Sequence, residues 1–225
     1  AASVVQQLDR IGVSRNAFDT IVSSGDAARA SIAAAVDRGL SIGQIGPERD
    51  RPLFDSLHVE LRPVDEAAIA VCTGLYDDTT ETPADYADIL AALKRREVPM
   101  ICANPDITVE RGGKIVYCAG AVAAAYEALG GAVFYAGKPH LPIYDMAFAS
   151  AAKLRGSEVA KSRTLAIGDG IRTDIKGAAA AGIRSVFVAS GIHVAEDVAF
   201  DAAALAALFP PGHPRPVAAM TGLAW

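Results

Sequence analysis

Strands that alternate with helices predict an α/β fold built on a mostly parallel sheet. Short apolar runs closed by Gly, Asn or Pro recur along the chain, and alanine-rich helical patterns separate them. Composition agrees: 225 residues, 52% hydrophobic and 21% charged, can bury a sizeable core and are unlike a disordered chain. About a fifth of the chain is alanine, which favours packed helices over an all-β fold.

Val4, Val5, Leu8 and Ile11 recur at helical spacing, with Gly12 as a stop. Phe18–Val22 reads as a short buried strand, followed by Ser23-Ser24-Gly25-Asp26 and an alanine-rich helix over 27–37 that ends at Gly39. An apolar strand spans Leu40–Ile45, before the turn Gly46–Asp50. Another covers Ala68–Thr73, before the acidic loop 77–81 and an amphipathic helix over Tyr86–Arg95. Pro99–Cys102 is a strand entering the turn Asn104-Pro105-Asp106. The turn Gly112-Gly113, a short strand near Ile115–Tyr117, a helix over Ala121–Leu129 and a strand at Ala132–Tyr135 follow. Ile143–Leu154 reads as helix, Thr164–Ile167 as strand, Ile175–Ala181 as helix and Ser185–Val188 as strand. The prolines from 210 to 216 mark an extended connection to a last short segment.

The net charge of −5 excludes a general nucleic-acid binder, although a local carboxylate cluster can still hold a metal. Cys72, Cys102 and Cys118 are odd in number and lack a CxxC, so the expectation is a reducing compartment without a disulfide framework or structural zinc. No apolar stretch approaches the roughly 18 residues of a spanning helix, and AASVVQQLDR has no signal-peptide pattern. The sequence therefore reads as a cytoplasmic protein without a membrane partner. It lacks an initiator Met and opens inside a helical pattern, so a preceding segment is expected.

The strongest chemical signal is TLAIGDGIRTD, residues 164–174. An apolar strand ends at Gly168-Asp169, and a second carboxylate, Asp174, lies at the mouth of the next helix. In a parallel α/β sheet the carboxyl ends of the strands form the ligand crevice, and two carboxylates there suit Mg²⁺, which takes oxygen ligands and keeps several waters. The same residues also fit an ordinary strand–turn–helix, with Asp as turn former and N-cap. A second signal is YAGKPH, residues 135–140: Lys138 after a strand can neutralise a phosphate, or simply be a solvated lysine. Ser23-Ser24-Gly25 offers backbone N–H groups to an anion, but an ordinary serine N-cap is the simpler reading. His140 and His193 have no second ligand at metal spacing in the sequence and read as structural or exposed; Cys118 reads as a small apolar filler. No GxSxG, HExxH or GxxxxGK[ST] is present.

Taken together, GKPHLPIYDMA and TLAIGDGIRTDIKGAAAAGIRSVFVASG resemble the third and fourth motifs of the haloacid dehalogenase (HAD) superfamily. ICANPD…YCAGAVAAAYEALGG resembles its subfamily IIA, the NagD-like, p-nitrophenyl-phosphatase-like and pyridoxal-phosphate-phosphatase-like enzymes. The resemblance implies a Rossmann-like parallel-sheet core with an inserted α/β cap: core 1–39, cap 40–133, core 134–225. It implies Mg²⁺-dependent hydrolysis of small-molecule phosphate monoesters through an aspartyl-phosphate intermediate. Asp169 would be the Mg²⁺ ligand, Asp174 its partner through water, and Lys138 the catalytic lysine holding phosphate and nucleophile. Asn104 and Asp106 would be substrate contacts on the cap side. A small phosphorylated metabolite would be the partner, with a homodimer through the cap.

The first motif of that family, DxDGx, is absent, and so is the second-motif Ser or Thr. Asp77-Asp78 follows a strand but falls in the implied cap and is no substitute. The expectation is that the nucleophile sits in an N-terminal segment outside this chain, and that residues 1–225 alone are inactive. Two other readings stay open at this point: a non-catalytic HAD-like module binding a phosphorylated ligand or protein partner, and a phosphate- or nucleotide-binding α/β protein outside the superfamily. The last would leave Lys138 far from Asp169.

Overall fold

The structure is a computed structural model in which residues 2–189 and 202–222 are described; His193 lies outside the described residues. The chain divides into two compact units, Ala1–Gly137 and Lys138–Trp225.

In the first unit, helix α1 (Ala2–Arg10) forms where the apolar spacing predicts it. Phe18–Val22 does not form the expected strand. A strand needs a neighbour to receive its backbone bonds, and no described residue supplies one, so β-prone residues alone leave the segment irregular and half-buried in part. Helix α2 (Ser24–Asp37) starts at Ser23 with a capping box: Asp26 Oδ2 accepts the Ser23 N–H at 2.9 Å, and Ser23 Oγ accepts the Asp26 N–H at 3.3 Å. The serine is thus committed to ending a helix.

Strands β1 (Ile42–Ile45), β2 (Ile69–Cys72) and β3 (Met100–Cys102) follow, with helix α3 (Ala87–Arg95) between the last two. The chain then forms an antiparallel hairpin, β4 (Thr108–Arg111) and β5 (Lys114–Tyr117), helix α4 (Ala119–Ala128) and strand β6 (Val133–Tyr135). The sheet order is β1-β2-β3-β6, every pair parallel. Register places Ile45, Cys72, Cys102 and Tyr135 side by side, so the carboxyl ends are level and their loops leave from one edge. All of β2 and β3 is buried, as continuous apolar runs in a parallel sheet should be. Tyr86 and Tyr126 are fully buried yet satisfied: Tyr126 Oη donates to the Val98 carbonyl at 2.6 Å, and Tyr86 Oη donates to Glu81 at 2.6 Å.

The second unit runs through α5 (Leu141–Arg155), β7 (Leu165–Gly168), α6 (Lys176–Ala181), β8 (Arg184–Val188), α7 (Ala202–Leu208) and β9 (Ala218–Met220). Its sheet order is β7-β8-β9, all parallel. Ile175, Phe187 and Phe209 fill its core, the two phenylalanines edge to face at 5.3 Å. β7 is an edge strand among the described residues, and its Leu165 and Ile167 are 47% and 53% exposed.

Candidate active site

The carboxyl end of β7 is Gly168, followed by Asp169 and Gly170. The chain then enters a π-helical turn, Ile171–Ile175, before α6. Such wide turns inside helices recur at functional sites. Here the turn brings Asp174 back over the loop it closes: the Asp174 N–H donates to the Gly170 carbonyl at 2.7 Å, and the Gly170 N–H donates to Asp174 Oδ2 at 2.9 Å. Gly168 makes this possible, because a Cβ there would stand 2.4 Å from Asp174 Cγ.

The other oxygen, Asp174 Oδ1, accepts Lys138 Nζ at 2.5 Å. Lys138 precedes Pro139 and the N-cap of α5, His140. The start of α5 and the start of α6 approach closely only because Gly177 lacks a side chain: a Cβ there would lie 2.3 Å from Tyr144 Oη and 2.9 Å from Pro139 Cα. Tyr144 is half-buried against this junction; burial, then the charge of Asp174, pushes its phenol up to about 12. It is therefore a neutral hydroxyl in the physiological range.

Lys138 and Asp174, 36 positions apart in sequence, are thus brought together. Asp169, half-buried, sits on the same loop one residue before Gly170. Asn104 and Asp106 belong to the first unit, in the loop after β3. There Asn104 Oδ1 accepts the Asp106 N–H at 3.2 Å, a side-chain turn that fixes the loop. Sequence reading missed Gly177, Tyr144 and the π-helical turn; a glycine among the first residues of an alanine-rich helix was the one available sign of close helix approach. It also missed Asp78 as a buried group. A cleft of about 500 Å³ in the first unit is lined by residues including Gln44, Arg51, Arg62 and Tyr76, and by none of Lys138, Asp169, Asp174, Asn104 and Asp106.

Chemically, the arrangement holds one ammonium group fixed by one carboxylate, beside a second carboxylate at a strand's carboxyl end. That combination can bind an oxyanion and offer an oxygen ligand to a hard cation. Among the described residues, no group of three or more His, Cys, Asp or Glu side chains converges as a metal site, and no helix is long and apolar enough to cross a membrane.

Comparison with known proteins points the same way. A HAD-hydrolase-like family model matches residues 135–210. A crystal structure of a haloacid dehalogenase-like hydrolase from Brucella suis 1330 is similar at 45% identity and a TM-score of 0.82, over 99% of this chain and 79% of that one. A glycerol phosphate phosphatase from Mycobacterium tuberculosis, in complex with magnesium, shares 26% identity with a TM-score of 0.67, over 96% of this chain and 61% of that one. A dihydroxyacetone phosphatase from Corynebacterium glutamicum (strain R) is 38% identical over 93 residues, 41% of this chain. The match spans 32% of the length of that curated relative.

Proposed function

The chain belongs to the haloacid dehalogenase-like family, and we propose that it forms the greater part of a phosphatase acting on small-molecule phosphate monoesters. The observation that carries the reading is the Lys138–Asp174 pair held beside Asp169 at the carboxyl end of β7. In the proposed reaction, Lys138 binds a phosphoryl oxygen and offsets the charge that builds when an anionic carboxylate approaches phosphorus. Asp174 keeps the ammonium in place, and the Gly170 N–H keeps Asp174 in place.

Mg²⁺ fits the donor chemistry in part. Asp169 offers a carboxylate at the right edge of the sheet, while both oxygens of Asp174 are already hydrogen-bonded, which suits it to hold a metal-bound water. Asp169 would be the ligand from this chain, and Mg²⁺ needs few protein ligands because it keeps its waters. When bound, the ion supplies Lewis-acid neutralisation of the phosphate. The magnesium complex of the mycobacterial relative supports this choice of cation.

No two aspartates in the 225 residues are spaced two apart, so we place the nucleophile and the acid–base aspartate in a segment N-terminal to them. The nucleophile's oxygen would bond to phosphorus as the P–O ester bond breaks, the acid–base aspartate protonating the departing alcohol. That aspartate would then take a proton from water as it attacks the aspartyl phosphate, releasing inorganic phosphate and the free carboxylate. Among the described residues β7 pairs on one side only, and its Leu165 and Ile167 are exposed, which supports the addition of a strand there, since exposed edges invite pairing. Core segments 1–39 and 134–225, a cap at 40–133 with Asn104 and Asp106 as substrate contacts, and a homodimer through the cap complete the proposal. Three buried free cysteines accord with a cytoplasmic setting.

The test is hydrolysis of p-nitrophenyl phosphate by the full natural polypeptide, followed by a screen that includes glycerol phosphate and dihydroxyacetone phosphate. Turnover that EDTA abolishes, Mg²⁺ restores and Asp169→Ala removes is expected. Thermal stabilisation by such esters without turnover would overturn the enzyme reading in favour of a non-catalytic binding module.

A further inference from the structure

Asp78 is 8% exposed, and one of its oxygens, Oδ2, accepts two arginines: Arg49 Nη2 at 2.6 Å and Arg111 Nη1 at 2.9 Å. The three residues come from the loops that leave the carboxyl ends of three neighbouring parallel strands. Arg49 lies in the 3₁₀ turn Glu48–Phe54 after β1, Asp78 in the loop after β2, and Arg111 at the end of β4, in the hairpin after β3. Both guanidinium groups are more than half exposed while the carboxylate between them is buried. A single oxygen therefore joins three loops that share no strand pairing.

The hairpin needs such a joint. Among the described residues, β4 and β5 pair only with each other, and a two-stranded ribbon is marginally stable by itself in water. Its outward residues are open, Ile115 at 77% exposure. Its base is closed by the Cys118 N–H donating to the Ile107 carbonyl at 2.9 Å. Its tip is the turn Gly112-Gly113, flanked by the register pair Arg111 and Lys114. Among the described residues, the only side-chain hydrogen bond from the hairpin to the rest of its unit is Arg111 to Asp78. Removing a buried acceptor of two charged donors loses strong bonds at once.

We propose that Asp78 is a positioning residue, a buried tether that fixes the tip of the β4–β5 hairpin and, with it, the substrate-facing loop that begins at Asn104. The tether stands on the geometry of the first unit alone; its effect on catalysis rests on the phosphatase reading above.

The experiment uses the full natural polypeptide, including the segment N-terminal to these residues, with Asp78→Asn and Arg111→Gln singly and together. Native trypsin digestion is followed by mass spectrometry at the Lys114–Ile115 bond, which neither substitution alters. Each single variant is expected to speed that cleavage about tenfold, equivalent to about 1.4 kcal/mol of local opening, and the double variant no more than the faster single one. In the phosphatase assay, KM should rise with kcat nearly unchanged, and Arg111→Lys should recover part of the loss. Unchanged cleavage at Lys114 in Asp78→Asn, or single effects that multiply in the double variant, would overturn the tether even with phosphatase activity intact. Faster cleavage in a protein devoid of phosphatase activity would support the tether and sink the phosphatase reading instead.

Discussion

Replacing Asp174 by Asn separates two roles that its geometry combines. The carboxylate receives Lys138 Nζ through Oδ1 and the Gly170 N–H through Oδ2. Asn keeps an acceptor oxygen that can serve Gly170, so the loop's own closure is largely retained. The ionic half is lost, but the Lys138 side chain is 48% exposed and that of Asp174 is 16% exposed, so solvent screens the pair. Its share of stability is therefore about 1 kcal/mol or less, a fall in Tm of about 2–4 °C for a domain of this size. Catalysis should suffer more, because a lysine free to swing no longer meets the phosphoryl oxygens in a fixed place; losing a preorganised charge costs about 10²-fold in kcat. The assay pairs differential scanning calorimetry with steady-state hydrolysis of p-nitrophenyl phosphate by the full polypeptide. A variant with normal kcat and a Tm lowered by ten degrees or more would show that the pair only braces the loop, and the reasoning would be wrong.

Gly168→Ala forces a Cβ against Asp174 Cγ; overpacking of this kind costs about 1–3 kcal/mol, and calorimetry should find that loss together with impaired phosphate binding. The three thiols are buried, and burial pushes Cys72 and Cys118 above the ordinary thiol range and Cys102 up to about 12. Since only the thiolate reacts, native protein at pH 8 should resist Ellman's reagent until urea unfolds it; prompt reaction of all three without denaturant would contradict the packing. Burial likewise raises Tyr144 to about 12, so its proton is held more tightly folded than unfolded. Stability from this group is complete below about pH 10, the unfolded value, and is lost as pH rises toward 12. Ultraviolet titration should place its ionisation above that seen in urea, and Tyr144→Phe should remove that component.

The sheet elements were legible where the chain is apolar and short between turn formers. Ile69–Cys72 and Met100–Cys102 are uninterrupted apolar runs, and only burial on both faces accommodates such runs. Phe18–Val22 holds the β-prone Phe18, Thr20, Ile21 and Val22 and is no strand, because propensity favours an extended chain while a strand also requires a neighbour. β4 went unread although the signal exists: Gly112 and Gly113, at φ +59° and +76°, are the pair that a tight hairpin turn demands, and Val109 and Val116 alternate around them. β9, Ala218–Met220, carries no strand propensity; its pairing with β8 is a tertiary fact. α7 is a run of Ala and Leu that propensity alone should have assigned to a helix.

The candidate site was legible to the extent that it depends on strand ends, and no further. Lys138 and Asp169 could be named because each follows an apolar strand, and parallel topology collects strand ends at one edge. The bond between Lys138 and Asp174 could not, since it depends on a π-helical turn that reverses the direction of Asp174 and on a missing side chain at Gly177. Asp78 makes the same point more sharply. In the sequence it is one acid in the run Asp77-Asp78-Thr79-Thr80-Glu81, which reads as a solvated loop. It is buried because arginines 29 residues before it and 33 after it converge on one oxygen. A charge is rarely buried unless paired, so its burial depends on loops whose directions local pattern does not encode. Residues placed by topology can be found from sequence; residues placed by the meeting of several loops require the fold.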